Sequence, residues 1–227
     1  MRGDFCDVWH RRARRLLHVV DFQRRWFFEL AHFYRHLSPQ EFWLRYHEER
    51  ARAKALWASG EPAWNLCDYY VLRQQYYHRD ACFHAVAARI PPRGTLLEFG
   101  CGVAPVSAWL ARHRADVRLR LYDIPSRTLE FARWRLPQAV VVGTLLPNWY
   151  DAIVCWEVLE HVPYPVDTMR ALVNALAPGG VLFVDFVAGG GDGGGPGREA
   201  AIHVLNDALV CLRPLTPEGR KGLYVRR

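Results

Sequence analysis

The chain has 227 residues, of which 51% are hydrophobic and 23% charged, with a formal net charge of +7. This composition excludes a disordered polar chain and gives one domain of ordinary size with an appendage. Six cysteines, Cys6, Cys67, Cys82, Cys101, Cys155 and Cys211, lie scattered without a Cys-x-x-Cys pair, which argues against a zinc ribbon or a disulfide framework and favours reduced thiols.

Arg11, Arg12, Arg14 and Arg15 interrupt the first apolar stretches, and no apolar run reaches the roughly 18 residues of a membrane span, so the expectation is a soluble, cytoplasmic protein without a membrane partner. Of the positive excess, residues 1–90 hold 15 basic and 10 acidic side chains, and residues 91–227 hold 15 and 13. Nearly all the cations are arginine, Lys54 and Lys221 being the lysines. Arginine suits phosphate and carboxylate alike, so charge alone leaves nucleic acid open as a partner without favouring it.

Residues 1–90 read as a helical region. From about 7 to 36 the apolar side chains Trp9, Leu16, Leu17, Val20, Phe27, Phe28, Leu30 and Phe33 recur at three-to-four spacing between arginines. Ser38-Pro39-Gln40-Glu41 supplies a cap, a proline at the first helical position and an acid at the third, which starts a helix running to about Ala58 and ending at Gly60. A further helix spans about 65–88 and ends before Pro91-Pro92. The region holds 18 of the 30 aromatic residues, which fits interhelical packing or a cap lining a substrate pocket.

From Gly94 the texture changes to strands alternating with helices of about ten residues. Strands are predicted at Thr95–Phe99, Val117–Tyr122, Ala139–Val142, Ala152–Trp156 and Val181–Phe186, with helices at Pro105–His113, Ser126–Arg135 and Pro165–Ala177. Such alternation predicts an α/β fold with a doubly wound, mostly parallel sheet, which binds ligands beyond the carboxyl ends of its strands. The glycine-rich stretch 189–197 is a loop, either a tolerated insertion or a substrate gate. Residues 198–227 read as one helix and a strand pair turning at Pro217-Glu218-Gly219. The organisation is thus a helical region, 1–90, before a ligand-binding domain, 91–227.

Chemistry concentrates after the first strand. Leu96-Leu97-Glu98-Phe99-Gly100-Cys101-Gly102-Val103-Ala104-Pro105 ends an apolar strand in a carboxylate, lets the backbone approach a ligand at Gly-x-Gly, and opens a helix with free amides. The second strand ends in Tyr122-Asp123 about 20 residues later, where a carboxylate can accept two ribose hydroxyls. Together these describe an adenosine site. A dinucleotide fingerprint fits poorly, because Pro105 stands at the third glycine position and Glu98 would repel a pyrophosphate, while the same acid suits a cationic ligand bearing an ammonium group.

These residues resemble the class I S-adenosylmethionine-dependent methyltransferases over 94–187. Glu98-Phe99-Gly100-Cys101-Gly102 is similar to the family's first motif and Asp123 to its ribose-binding acid. Asp151-Ala152-Ile153-Val154-Cys155-Trp156-Glu157-Val158-Leu159-Glu160-His161-Val162 is similar to the fourth-strand motif, and Leu176-Ala177-Pro178-Gly179-Gly180-Val181-Leu182 to the turn into the fifth strand. The last glycine of the usual first motif is Ala104, and Gly143-Thr144-Leu145 stands where an acid commonly meets the adenine amino group. The resemblance implies a Rossmann-like methyltransferase sheet with an N-terminal helical cap, and S-adenosylmethionine as cofactor. It places Glu98 near the methionine ammonium, Gly100, Cys101 and Gly102 beneath the cofactor, Asp123 at the ribose, Ile124 among the cofactor-binding residues, Thr144 and Leu145 at the adenine, and the Trp156 carbonyl near the amino-acid moiety.

The Glu-x-x-Glu-His spacing of Glu157, Glu160 and His161 resembles both ubiquinone-pathway O-methyltransferases and small-RNA 2′-O-methyltransferases. There these positions can bind Mg²⁺, for which His203 would be a fourth ligand. The same string occurs in metal-free relatives, and the reading adopted assigns no metal, with His161 and Glu160 as the catalytic pair. The expected reaction is methyl transfer to a small-molecule acceptor, on oxygen, by in-line displacement. The alternatives are an RNA methyltransferase, for which no RNA-binding module is recognisable, and a non-catalytic protein of the same fold.

Overall fold

The computed structural model describes residues 29–59, 80–159, 161–185, 204, 209–214 and 221–226. In chain order they form α1 (Pro39–Ser59), α2 (Asp80–Ala87), β1 (Thr95–Phe99), α3 (Pro105–His113), β2 (Arg118–Tyr122), α4 (Arg127–Arg135), β3 (Val140–Val141), β4 (Tyr150–Cys155), α5 (Pro165–Ala175), β5 (Leu176–Asp185), β6 (Leu209–Pro214) and β7 (Lys221–Arg226). The expected helix over 7–36 before residue 29, most of the helix over 65–88, the glycine loop 189–197 and the turn at 217–219 lie outside the described residues.

Seven strands form one sheet in the order β3-β2-β1-β4-β5-β7-β6. The pairs from β3 to β5 are parallel, and β7 runs antiparallel between β5 and β6. β1 lies centrally and is buried along its whole length, which explains its nearly unbroken apolar sequence. Alternation along the strands divides the core. Leu97, Ile153 and Leu182 face Met169 and Leu172 of α5, whereas Leu96, Val154 and Phe183 face Phe83 of α2 with Trp109 and Leu110 of α3.

The local signals have visible causes. At the start of α1, Ser38 N donates to Glu41 Oε2 at 2.6 Å and Glu41 N to Ser38 Oγ at 3.3 Å, a reciprocal capping box. Ser126 caps α4 by accepting from Leu129 N at 3.1 Å. α2 ends under Arg114, whose guanidinium donates to the carbonyls of Ala87 at 2.8 Å and Ile90 and Pro91 at 3.3 Å. The same group holds Asp116 through Nε at 2.8 Å and Nη2 at 2.9 Å, and Asp116 accepts Arg93 N at 3.0 Å. One arginine therefore joins the end of α2 to the loop entering β2.

β5 begins at Leu176 rather than Val181, because Pro178-Gly179-Gly180 forms an irregularity within the strand. Tyr150 pairs with Leu176 and Ala152 with Val181, so the extra residues are absorbed between them, with Gly179 at φ 74°. β3 is shorter than its apolar run predicts, pairing only through Val140 and Val141 at the sheet edge. No described helix is long and apolar enough to cross a membrane.

Candidate active site

The carboxyl ends of β1, β2 and β4 meet at one edge of the sheet, since Phe99 registers with Tyr122 on one side and Cys155 on the other. The chain leaves β1 through a turn with left-handed residues at Gly100 (φ 62°), Gly102 (φ 52°) and Ala104 (φ 53°). Ala104 thus occupies the conformation that the family's glycine would adopt freely, at an alanine cost of about 1 kcal/mol.

The two glycines answer different needs. A Cβ on Gly100 would lie 2.7 Å from Val158 Cγ1, so the loop after β4 packs directly on this backbone. A Cβ on Gly102 would meet no described residue within 4 Å, so among the described residues the space beside this backbone is open.

Glu98 is 4% exposed, and its carboxylate accepts Val106 N at 3.2 Å and Ser107 N at 2.7 Å. These are second- and third-position amides of α3, whose N-cap residue, Ala104, has no side-chain acceptor; a strand carboxylate therefore does the work of a helix cap. Burial pushes the Glu98 carboxyl up to about 7, against the lowering effect of these bonds and of Arg135. Asp123 is half-buried; its Oδ2 accepts Gly102 N at 2.6 Å and its Oδ1 accepts Ile124 N at 2.8 Å. Burial raises its pKa while these amides lower it. A carboxylate offers about four acceptor positions, so capacity remains for two hydroxyls.

Ile124 projects beyond β2 with 52% of its surface exposed, beside the parallel stack of Phe99 on Tyr122, whose centroids are 4.6 Å apart. Thr144 is exposed and Leu145 half-buried, the latter beside the core cluster that includes Phe99. Cys101 is buried and its thiol is pushed to high pKa, first by desolvation. The Trp156 ring packs inward, edge-on to Phe183 at 4.9 Å and against Phe83 at 5.7 Å. His161 is exposed and its amide donates to Val158 O at 2.8 Å. Glu157 is half-buried with φ 51°, an uncommon conformation for a residue with a side chain. Glu160 and His203 lie outside the described residues, and among the described residues no cluster of three or more His, Cys, Asp or Glu can hold a metal.

Sequence reasoning missed the partners of Val103. Its carbonyl accepts Arg135 Nη1 at 3.1 Å, and its side chain is buried with Leu30, Tyr34 and Phe131. The alternation of glycine and small residues marks the turn, but nothing local in the sequence points to a cation 32 residues further on.

The strand order with its inserted antiparallel β7, the glycine turn after β1 and the acid after β2 define the class I S-adenosylmethionine-dependent methyltransferase fold. Residues 70–194 match the family described as Methyltransferase domain, more than half of the chain, and the chain belongs to that family. The ubiquinone biosynthesis O-methyltransferase of Xanthomonas campestris pv. campestris (strain B100) is 33% identical over 111 residues, 44% of this chain and 46% of that protein. The corresponding protein of Xylella fastidiosa (strain 9a5c) is 32% identical over 114 residues, 45% of this chain and 46% of the relative. The chain thus spans a little under half the length of these curated relatives. The crystal structure of a TehB-like SAM-dependent methyltransferase from Corynebacterium glutamicum shares the fold, with a TM-score of 0.53, 17% identity, and coverage of 80% of this chain and 98% of that one.

Proposed function

We propose that the protein transfers a methyl group from S-adenosylmethionine to a hydroxyl of a small-molecule acceptor. The observation that carries the cofactor assignment is the juxtaposition of the Asp123 carboxylate with the amide of Gly102, at 2.6 Å, beside space that no described residue fills. When bound, S-adenosylmethionine supplies a methyl group already activated by its sulfonium.

The chain's own residues then bind, orient and move one proton. Asp123 accepts the ribose hydroxyls, and Gly100, Cys101 and Gly102 form the floor of the site. Ile124, Thr144 and Leu145 border the adenine, with apolar contact replacing the acid that the family commonly uses there. Glu98 holds the first turn of α3 and lies beneath the methionine ammonium, whose positive charge favours its ionised form, and the Trp156 carbonyl borders the same group. His161, paired with Glu160, takes the acceptor's hydroxyl proton as the oxygen attacks in line with the methyl–sulfur bond, contributing ~10²–10⁴ to the rate. This assignment requires no metal. An oxygen acceptor is supported by the O-methyltransferase relatives and by the Glu-x-x-Glu-His spacing shared with them. The N-terminal helices are assigned as the cap over the acceptor, and Leu30 and Tyr34 tie this region to the turn at Val103.

The test is titration of wild type and Asp123→Ala with S-adenosylmethionine and S-adenosylhomocysteine. Wild type binds both, and loss of two charge-assisted hydrogen bonds weakens the variant by at least ~10-fold. No binding by wild type, or equal affinity in the variant, overturns the cofactor assignment. Absence of methyl transfer across a panel of hydroxylated acceptors, with binding intact, overturns the catalytic one.

A further inference from the structure

The turn that forms the candidate cofactor floor is fastened from behind by a cation that the mechanism above does not use. The side chain of Arg135, the last residue of α4, is 4% exposed; its Nη1 donates to Val103 O at 3.1 Å, and its Nε lies 2.9 Å from Glu29 Oε2. Glu29 also faces Arg112 Nη1 at 4.0 Å. Desolvation pulls the Arg135 pKa down, with Glu29 the foremost group opposing it; a guanidinium this deep persists as a cation only when paired and hydrogen-bonded. The carbonyl it holds belongs to the residue between left-handed Gly102 and Ala104, so a rotation of that peptide would disturb both. Leu30 and Tyr34, beside Glu29 in the chain, pack on Val103 and on Phe131 of α4. Glu29 precedes the stretch 70–194 matched to the methyltransferase family.

We infer that Glu29 and Arg135 are positioning residues for the cofactor site: the pair fixes the Val103 carbonyl, and with it the Gly100–Ala104 turn, in the shape that receives the ligand. The segment beginning at Glu29 is then a part of cofactor binding as well as a cap for the acceptor. Glu29 acts on the turn through Arg135, whose charge it balances, and neither side chain needs to touch the ligand. The inference rests on the assignment of S-adenosylmethionine to this turn.

The experiment compares wild type, Glu29→Gln, Arg135→Met, Arg135→Lys and the double variant Glu29→Gln/Arg135→Met in the full chain. It reads S-adenosylhomocysteine affinity by calorimetry and, without ligand, hydrogen exchange of the Gly102, Val106 and Ser107 amides. Each of Glu29→Gln and Arg135→Met is expected to weaken binding about tenfold and to speed exchange of these amides about tenfold, while β1 and β4 stay protected. Arg135→Lys recovers part of the affinity, and the double variant is no worse than Arg135→Met, because Glu29 has no separate route to the turn. Affinity within twofold of wild type together with a lowered melting temperature makes the pair merely structural and overturns the inference, as does unchanged turn exchange. Should Arg135→Met fail to fold, Glu29→Gln decides, since it keeps both shape and guanidinium. Failure of wild type to bind S-adenosylhomocysteine defeats the cofactor assignment instead, and the ligand-free exchange still decides whether the pair holds the turn.

Discussion

The carboxylate of Glu98, on the central strand, accepts the backbone amide of Ser107 at 2.7 Å and so joins β1 to the first turn of α3 without any capping side chain from the helix itself. Burial outweighs that bond and raises the carboxyl from an ordinary 4.5 to about 7. Between these two pH values the native protein keeps a proton that the unfolded chain has released. The resulting stabilisation is complete below about pH 4.5, declines as pH rises, and is gone above about 7, an amount of ~3 kcal/mol. Glu98→Gln cannot titrate. Its melting temperature relative to wild type should therefore rise from pH 5 to about pH 7 and level off above it in ligand-free protein, and a pH-independent difference would refute the assignment.

Gly100 and Gly102 should separate under the same substitution. Gly100→Ala drives a methyl group into Val158 in addition to left-handed strain, and should cost ~2–4 kcal/mol in urea unfolding. Val158→Ala in the same chain should recover part of that loss. Gly102→Ala meets no atom of a described residue within 4 Å and should cost only ~1 kcal/mol of conformational strain, yet it fills the space assigned to the ligand. S-adenosylhomocysteine affinity should fall at least ~10-fold in that variant. Unchanged affinity in Gly102→Ala would place the ligand elsewhere.

His161→Ala should lower the methyl-transfer rate ~10²–10⁴-fold while cofactor affinity stays within about twofold of wild type. Activity of the wild type should survive EDTA, since the proposed base works without a bound cation. Loss of activity in EDTA, restored by Mg²⁺, would reassign Glu157, Glu160 and His161 as ligands.

Arg114→Ala should remove three carbonyl contacts at the end of α2 and lower stability by ~1–3 kcal/mol. Denaturant unfolding reads the loss, and cofactor affinity should not follow it, because Arg114 lies away from the glycine turn. A matching drop in affinity would mean that α2 communicates with the site.

Much of this architecture was legible because its signals are local. Pro105 at the first helical position gave α3 its observed limits, and the apolar run Thr95–Phe99 gave β1 its observed limits. The start of β5 was not legible, since Pro178-Gly179-Gly180 reads as a turn and only pairing with Tyr150 draws Leu176 into the strand. At the site, the glycines and Asp123 announce themselves by spacing. The embrace of Glu98 by α3 does not, because a helix cap is sought next to the helix and here comes from the preceding strand. The Arg135 contact with Val103 escapes for a related reason: it joins residues whose separation in the chain carries no periodicity.

The place of β7 governs how the sheet can be completed. β6 is made before β7, yet it reaches the sheet only through β7. During synthesis β6 emerges with no strand to join, and the free edge of β5 must wait as well, until Lys221 arrives opposite Asp185. Closing that pair joins residues 36 positions apart in the chain, a slow, non-local step in which two unpaired strand edges are exposed together. Until that pairing is made, the edge of β5 and the strand β6 are both open to edge-to-edge association.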